Sequence, residues 1–214
     1  MSRENARPNY RKLLIQLGVG AVFGAVMGFG LSTMMLPQLE TVGGAGAFAL
    51  ASVGMLYAVM GLFIGFGLVF PALGAKMLNV VDRDDLADQR TILTGSAVCC
   101  TALGLALLML ALSGPQGHIS GVLAAGALAS ALILSVVVSV LQWKLYDELM
   151  RGISMEASAF MAAILFPAVS LWAVLAHLGR TGPIDPLGLI ALLAGSMLLG
   201  SIMAAGRRGL LLPA

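Results

Sequence analysis

Six long stretches of this chain contain no Asp, Glu, Lys or Arg, and each has the length of a membrane span. They run over residues 13–36, 45–70, 92–112, 119–143, 157–178 and 187–205. An α-helix needs about 20 predominantly apolar residues to cross the hydrocarbon core of a bilayer. Only 10% of the 214 residues are charged, whereas a soluble domain carries about 25%, so a soluble fold would lack the polar surface to stay dissolved. Mean hydropathy is +0.99. The sequence therefore predicts an all-α, polytopic integral membrane helical bundle, forming a single domain over residues 1–214 with the lipid bilayer as its first partner.

The breaks between the stretches carry turn chemistry. Pro37 to Gly44, Gly114-Pro115-Gln116-Gly117, and Gly182-Pro183 through Asp185-Pro186 all punctuate helices. Cytoplasmic loops retain Lys and Arg, so these residues set the orientation. Arg3, Arg7, Arg11 and Lys12 precede the first span. Lys76, Arg83 and Arg90 follow the second, Lys144 and Arg151 the fourth, and Arg207 and Arg208 the sixth. Of the 12 Lys and Arg, only Arg180 falls on the opposite side. Six spans with both termini in the cytoplasm are the expectation. Tyr10 and Trp143 sit beside Arg11 and Lys144, where an interfacial aromatic belt belongs.

The basic, then apolar, N-terminus superficially resembles a signal peptide. Its apolar run far exceeds the roughly 7–15 residues of a cleavable core, so it reads as a permanent span. Cys99 and Cys100 are adjacent, and neighbours on a helix point about 100° apart, which argues against their pairing. Two cysteines alone supply no zinc spacing or disulfide framework. Small helix- or lipid-facing residues are the simpler reading. The absence of long external domains and external disulfides fits a bacterial inner (cytoplasmic) membrane.

Small residues recur at four-residue spacing, which keeps them on one slowly drifting helix face. Gly20, Gly24 and Gly28 do so in the first span, flanked by Gln16 and Ser32. Gly54, Ala58, Gly61 and Gly65 offer a matching face on the second, and Ser196, Gly200 and Ala204 one on the sixth. Such faces let backbones approach closely. Contacts within one bundle are expected, with the first span against the second; a homo-oligomer seam is the alternative, and a glycine-lined pore a more distant one.

Polar residues at membrane depth are few. Ser52, Ser130, Ser135 and Ser139 can bond the carbonyl one turn back, and Tyr57 has the reach to bond another helix. Pro167 removes one helical hydrogen bond and crowds Ala163, as in ordinary kinked membrane helices or in transporters. His118 and His177 lack an acidic or thiol neighbour and read as interfacial tips. Asp82, Asp84, Asp85 and Asp88 precede the third span, where Asp82 or Asp84 suits a helix cap. Ser154 and Glu156 are expected to play that part before the fifth.

Asp147 and Glu148 read differently. They follow the fourth span, towards a helix C-terminus, where the dipole disfavours acids. Lys144–Glu148 and Asp147–Arg151 have the spacing of exposed ion pairs. Such pairs would stabilise an extension ending near Gly152, with Leu145, Leu149 and Ile153 as an apolar stripe. Asp84-Asp85-Leu86 and Asp147-Glu148-Leu149 echo one another and form a candidate cytoplasmic contact surface for a membrane-protein partner.

No phosphate loop, His-Glu-x-x-His signature or Gly-x-Ser-x-Gly elbow is present. No ionisable group of the kind that serves proton and ion pumps interrupts a span. The expectation is a protein without catalytic residues, cofactor or metal of its own, and without nucleic acid as a partner, given a net charge of only +2. Two functions remain: an accessory, scaffold or assembly component of a membrane complex, and, as the alternative, a small transporter or channel for neutral or lipophilic solutes.

Overall fold

The computed structural model describes residues 44–70, 89–113, 119–183 and 185–209, together with Thr33. Five helices occupy them: α1 (Gly44–Val69), α2 (Arg90–Ala111), α3 (Gly121–Gln142), α4 (Glu148–His177) and α5 (Pro186–Arg207). All five are long and apolar enough to cross a membrane. There is no strand among the described residues; one isolated bridge joins Ser113 to Ile119 across the α2–α3 connection. The helices fall on the second to sixth apolar stretches, with α4 beginning nine residues before the fifth of them. The first stretch, apart from Thr33, lies outside the described residues, and with it Gly20, Gly24 and Gly28; so do Asp84, Asp85 and His118.

The main packing order in space is α3, α2, α1, α5, α4. The buried core sits where α1 meets α2 and α5, and consists of Ala47, Leu50, Ala51 and Tyr57 with Leu107, Ala111, Ala191 and Ala194. Alanine and glycine dominate because lipid offers helices no hydrophobic incentive to associate; close van der Waals approach does instead. α1 and α2 approach most closely. A Cβ on Gly54 would lie 3.0 Å from the Gly104 carbonyl oxygen, and one on Gly104 would lie 2.6 Å from the Gly54 carbonyl oxygen and 2.7 Å from Ala58 Cα. Gly61 faces Ala97 and Thr101 in the same way. The face of Gly54, Ala58 and Gly61 therefore meets α2; the expected contact of the first span with the second lies outside the described residues. No described atom comes near a Cβ placed on Gly65.

Tyr57 does reach another helix: its hydroxyl donates to the Ala194 carbonyl at 3.1 Å and ties α1 to α5. Ser52, Ser130 and Ser135 donate to the carbonyls of Phe48, Gly126 and Ala131, four residues back, as their type predicts. Gln142, at the end of α3, is buried, and its amide donates to the Thr91 and Ile92 carbonyls at 3.0 and 3.3 Å. Gly95 makes room for it.

The start of α4 corrects the expectation for the fourth connection. Asp147 is the N-cap of α4, with extended backbone, and its carboxylate accepts from the Met150 N–H at 2.7 Å. Glu148 lies in the first turn, where the helix dipole favours an acid. The fourth span thus ends at Gln142, and residues 143–147 form a short turn rather than a helical extension closing near Gly152. Leu145 is in that turn and cannot share a stripe with Leu149 and Ile153. Neither Lys144–Glu148 nor Asp147–Arg151 forms. Arg151 instead donates to the Trp143 carbonyl at 3.3 Å and lies 5.8 Å from the Trp143 ring centroid.

Ser154 and Glu156 are likewise inside α4 and cap nothing; Ser154 donates to the Met150 carbonyl at 3.0 Å. α2 begins after Gln89, whose side chain makes no capping bond, so neither Asp82 nor Asp84 occupies the N-cap position. α4 ends on Gly179 in the left-handed region (φ 67°). The Arg180 N–H bonds the Leu175 carbonyl there at 2.9 Å, and the Gly179 N–H bonds the Ala176 carbonyl at 3.1 Å. This paired arrangement satisfies the last carbonyls.

Candidate functional site

α4 and α5 run antiparallel, and polar chemistry gathers at both ends of the pair. At one end, Arg208 reaches back over Gly152 to Glu156 with two hydrogen bonds of 2.8 and 3.1 Å. This is the one ion pair among the described residues. A helix of 30 residues is about 45 Å long, more than the roughly 30 Å hydrocarbon core. The charged residues of α4 all lie in 148–156, so that end projects beyond the apolar stretch 157–178. The Arg208 hydrogen bond, with the charges of Arg208 and Arg207 beside it, holds the Glu156 carboxyl below the usual carboxylate range.

That direction fixes a pH dependence. A carboxyl whose folded-state pKa is depressed contributes stability that is present above its unfolded pKa and lost as pH falls through the folded value. The melting temperature of the purified protein should therefore fall below the ordinary carboxylate range, and the Glu156→Gln variant should lose the part of that fall owed to this pair. An identical acid profile in both proteins removes the pair from any role in stability.

At the other end, Asp185 caps α5 and accepts from the Leu187 and Gly188 N–H groups at 3.3 and 3.0 Å. Pro186 follows at the first helical position, where its missing N–H costs nothing. Gly46, in the first turn of α1, leaves the space that the Asp185 carboxylate fills. Next to this cap opens an apolar groove of about 470 Å³ between α1, α4 and α5. Ala49 and Val53 form one wall, Ala168 and Trp172 another, and Gly188 and Gly195 the floor. A Cβ on Gly188 would lie 3.2 Å from Asp185 Oδ2 and 3.3 Å from Trp172 Cη2; of these two residues Trp172 lines the groove, whereas the Asp185 carboxylate is turned to Gly46 and the first amides of α5.

Among the residues singled out by sequence, Gly54 and Gly61 lie at the α1–α2 contact, and Ser196, Gly200 and Ala204 are buried on α5. Asp147 and Glu148 lie at the start of α4. Asp185, Gly46, Gln142 and Gly152 were not anticipated. Asp185-Pro186 carries a cap-then-proline signature that was legible as a helix start; the other three reveal themselves only through a partner distant in sequence. No group of three His, Cys, Asp or Glu close enough to hold a metal ion occurs among the described residues.

An all-helical bundle of five described helices, each apolar enough to cross a membrane, places the chain with the polytopic membrane proteins. No family model, curated protein or solved structure matches it.

Proposed function

We propose that this chain is an accessory, scaffold or assembly component of a larger membrane complex. The observation that carries the reading is α4. It is 30 residues long and contains no buried residue, although it packs along α5. Phe166, next to Pro167, is 78% exposed. α3, at the opposite end of the arc, buries only Ala124, Ala131 and Gln142. Two flanking helices with open apolar faces suit lateral docking of another membrane protein or a second copy. The charge-free apolar stretches support a chain with no catalytic activity of its own. Isolation from native membranes with a mild detergent should yield one protein partner in fixed ratio, and bulky polar substitutions on the exposed α4 face should abolish that association. Recovery of the chain alone, under conditions that preserve known complexes, would sink the proposal.

The same reading has six spans, both termini in the cytoplasm of a bacterial inner membrane, and the α3–α4 turn, with Asp147 and Glu148, on the cytoplasmic side with residues 84–85. The alternation of Lys and Arg supports it. A phosphatase reporter fused after Ala214 should be inactive and a cytoplasm-dependent fluorescent reporter bright. The reverse result means an odd number of spans.

A second reading, a small transporter for neutral or lipophilic solutes, is favoured by the apolar groove between α1, α4 and α5. Solute flux in reconstituted vesicles separates it from the first.

A further inference from the structure

We propose that the groove between α1, α4 and α5 is the seat of the chain's own first apolar stretch, residues 13–36, which crosses the membrane there as a further helix against Ala49, Ala168 and Gly195. The seat leaves the outer face of α4, at Phe166, open to the partner proposed above, and it stands or falls apart from that reading. A solute of the second reading would need the same space.

The reach of the chain selects this occupant. The groove opens at the end of the bundle where α1 and α5 begin and α4 ends. Ala49 and Val53 lie within the first ten residues of α1, and Gly188 and Gly195 within the first ten of α5. Residue 36 is joined to Gly44 by the seven residues 37–43. Seven residues reach at most about 25 Å, and packed helix axes lie about 8–10 Å apart, so the stretch arrives at the groove mouth with chain to spare. Gly44 is in the left-handed region (φ 59°), a conformation that lets the chain turn as it enters α1. No other part of the chain outside the described residues competes. Residues 71–88 carry Lys76, Arg83 and Asp84 and leave α1 at its opposite end, as residues 210–214 leave α5; residues 114–118 are too short.

The chemistry of the two surfaces agrees. Residues 17–31 contain only glycine and apolar side chains. The groove asks for nothing polar: Ser196, the one hydroxyl on its wall, already donates to the Leu193 carbonyl at 2.9 Å. Helices in lipid associate by close van der Waals approach, which small residues permit. The groove presents three walls at once, so a helix lying in it gains more of that contact than one on the outer side of any single helix. A second copy would have to find the groove by diffusion, whereas a short tether holds the first stretch at an effective concentration on the order of millimolar.

Disulfide trapping tests the seat. At about 1.5 Å per residue, Gly195 lies about 14 Å below the start of α5, and residues 26–29 lie about 10–15 Å below the end of the first stretch. Four consecutive residues cover every direction around a helix, so no orientation need be assumed. Val26→Cys, Met27→Cys, Gly28→Cys and Phe29→Cys are each paired with Gly195→Cys in a Cys99→Ala, Cys100→Ala background, which has no other thiol. A cysteine fits at 195, since the nearest atom to a Cβ there is Val53 Cγ2, at 3.6 Å. Native membranes are oxidised with copper phenanthroline, denatured and treated with polyethylene-glycol maleimide. At least one of the four pairs should give a monomer with no adduct, and dithiothreitol should restore both adducts. Ala168→Cys, on the α4 wall, should repeat the result, so that one poorly folded variant does not decide it. The same four partners with Gly126→Cys on α3 should carry two adducts throughout. Two adducts on every Gly195 and Ala168 pair overturn the proposal and leave the groove to lipid. A disulfide-linked dimer overturns it equally and makes the groove a seam between copies. So does equal closure with Gly126→Cys, which would mean random collision.

Discussion

Gly104→Leu should drive α1 and α2 apart and destabilise the bundle more than any other single substitution. A Cβ at this position meets the backbone of Gly54 and Ala58, at 2.6 Å from a carbonyl oxygen and 2.7 Å from a Cα. Backbone atoms in two packed helices cannot rotate away as a side-chain tip would. Overpacking costs typically 1–3 kcal/mol, and alanine alone should reach about that range, with leucine above it. The separation has a local reporter in Cys100, which packs against the core. In a Cys99→Ala background, N-ethylmaleimide should label Cys100 faster once Gly104 is replaced, with the melting temperature lowered in parallel. Gly126 is the control. It is exposed on α3, and a Cβ there meets no described atom, so Gly126→Ala should be neutral or slightly stabilising. Unchanged melting and labelling in Gly104→Leu would show that the α1–α2 approach is looser than these distances require.

Gly200→Val should act differently, by releasing α4 alone. A Cβ on Gly200 would lie 2.5 Å from the Ala157 carbonyl oxygen and 3.0 Å from the Met161 nitrogen. The steric conflict is comparable to that at Gly104, about 1–3 kcal/mol. Its consequence is local, because α5 is the main neighbour of α4, whereas α1 holds both α2 and α5. Loss of the contact frees one flanking helix and leaves the core of α1, α2 and α5 in place. Trypsin should then cut after Lys144 and Arg151 roughly tenfold faster in detergent solution, following the population of the opened form. The remaining bundle should melt near its original temperature. Global unfolding with no gain in local cleavage would mean that α4 is an integral part of the core.

The helices were legible in the sequence because charge-free apolar runs of span length have few other solutions. Their neighbours were less so. Four-residue glycine spacing identifies a close-packing face but not what approaches it, and the Gly54–Gly61 face meets α2. The α3–α4 connection is ambiguous in sequence for a specific reason. Asp147 and Glu148 follow closely on the fourth apolar stretch, but the helix there ends at Gln142, five residues before the acid that begins the next one. An acid beyond a helix end is equally an acid before the following start, and Glu148-Leu149-Met150-Arg151 has ordinary helix-forming residues to continue from it. The Glu156–Arg208 pair and the Gln142 bonds join residues about fifty positions apart, beyond the reach of any local pattern. The groove depends on absent side chains at Gly188 and Gly195, which look the same in sequence as glycines that close a contact.

The Tyr57–Ala194 hydrogen bond spans 137 residues, and this separation orders the birth of the protein. α1 enters the membrane early in synthesis, while α5 is the last of the described helices to be made. Until α5 arrives, the Tyr57 hydroxyl has no Ala194 carbonyl to bond, and the alanines of α1 have half of their core. The close approach of the backbones at Gly54 and Gly104 needs no segment made after α2, whereas the contact of α1 with α5 can close only once the chain has been made as far as Ala194.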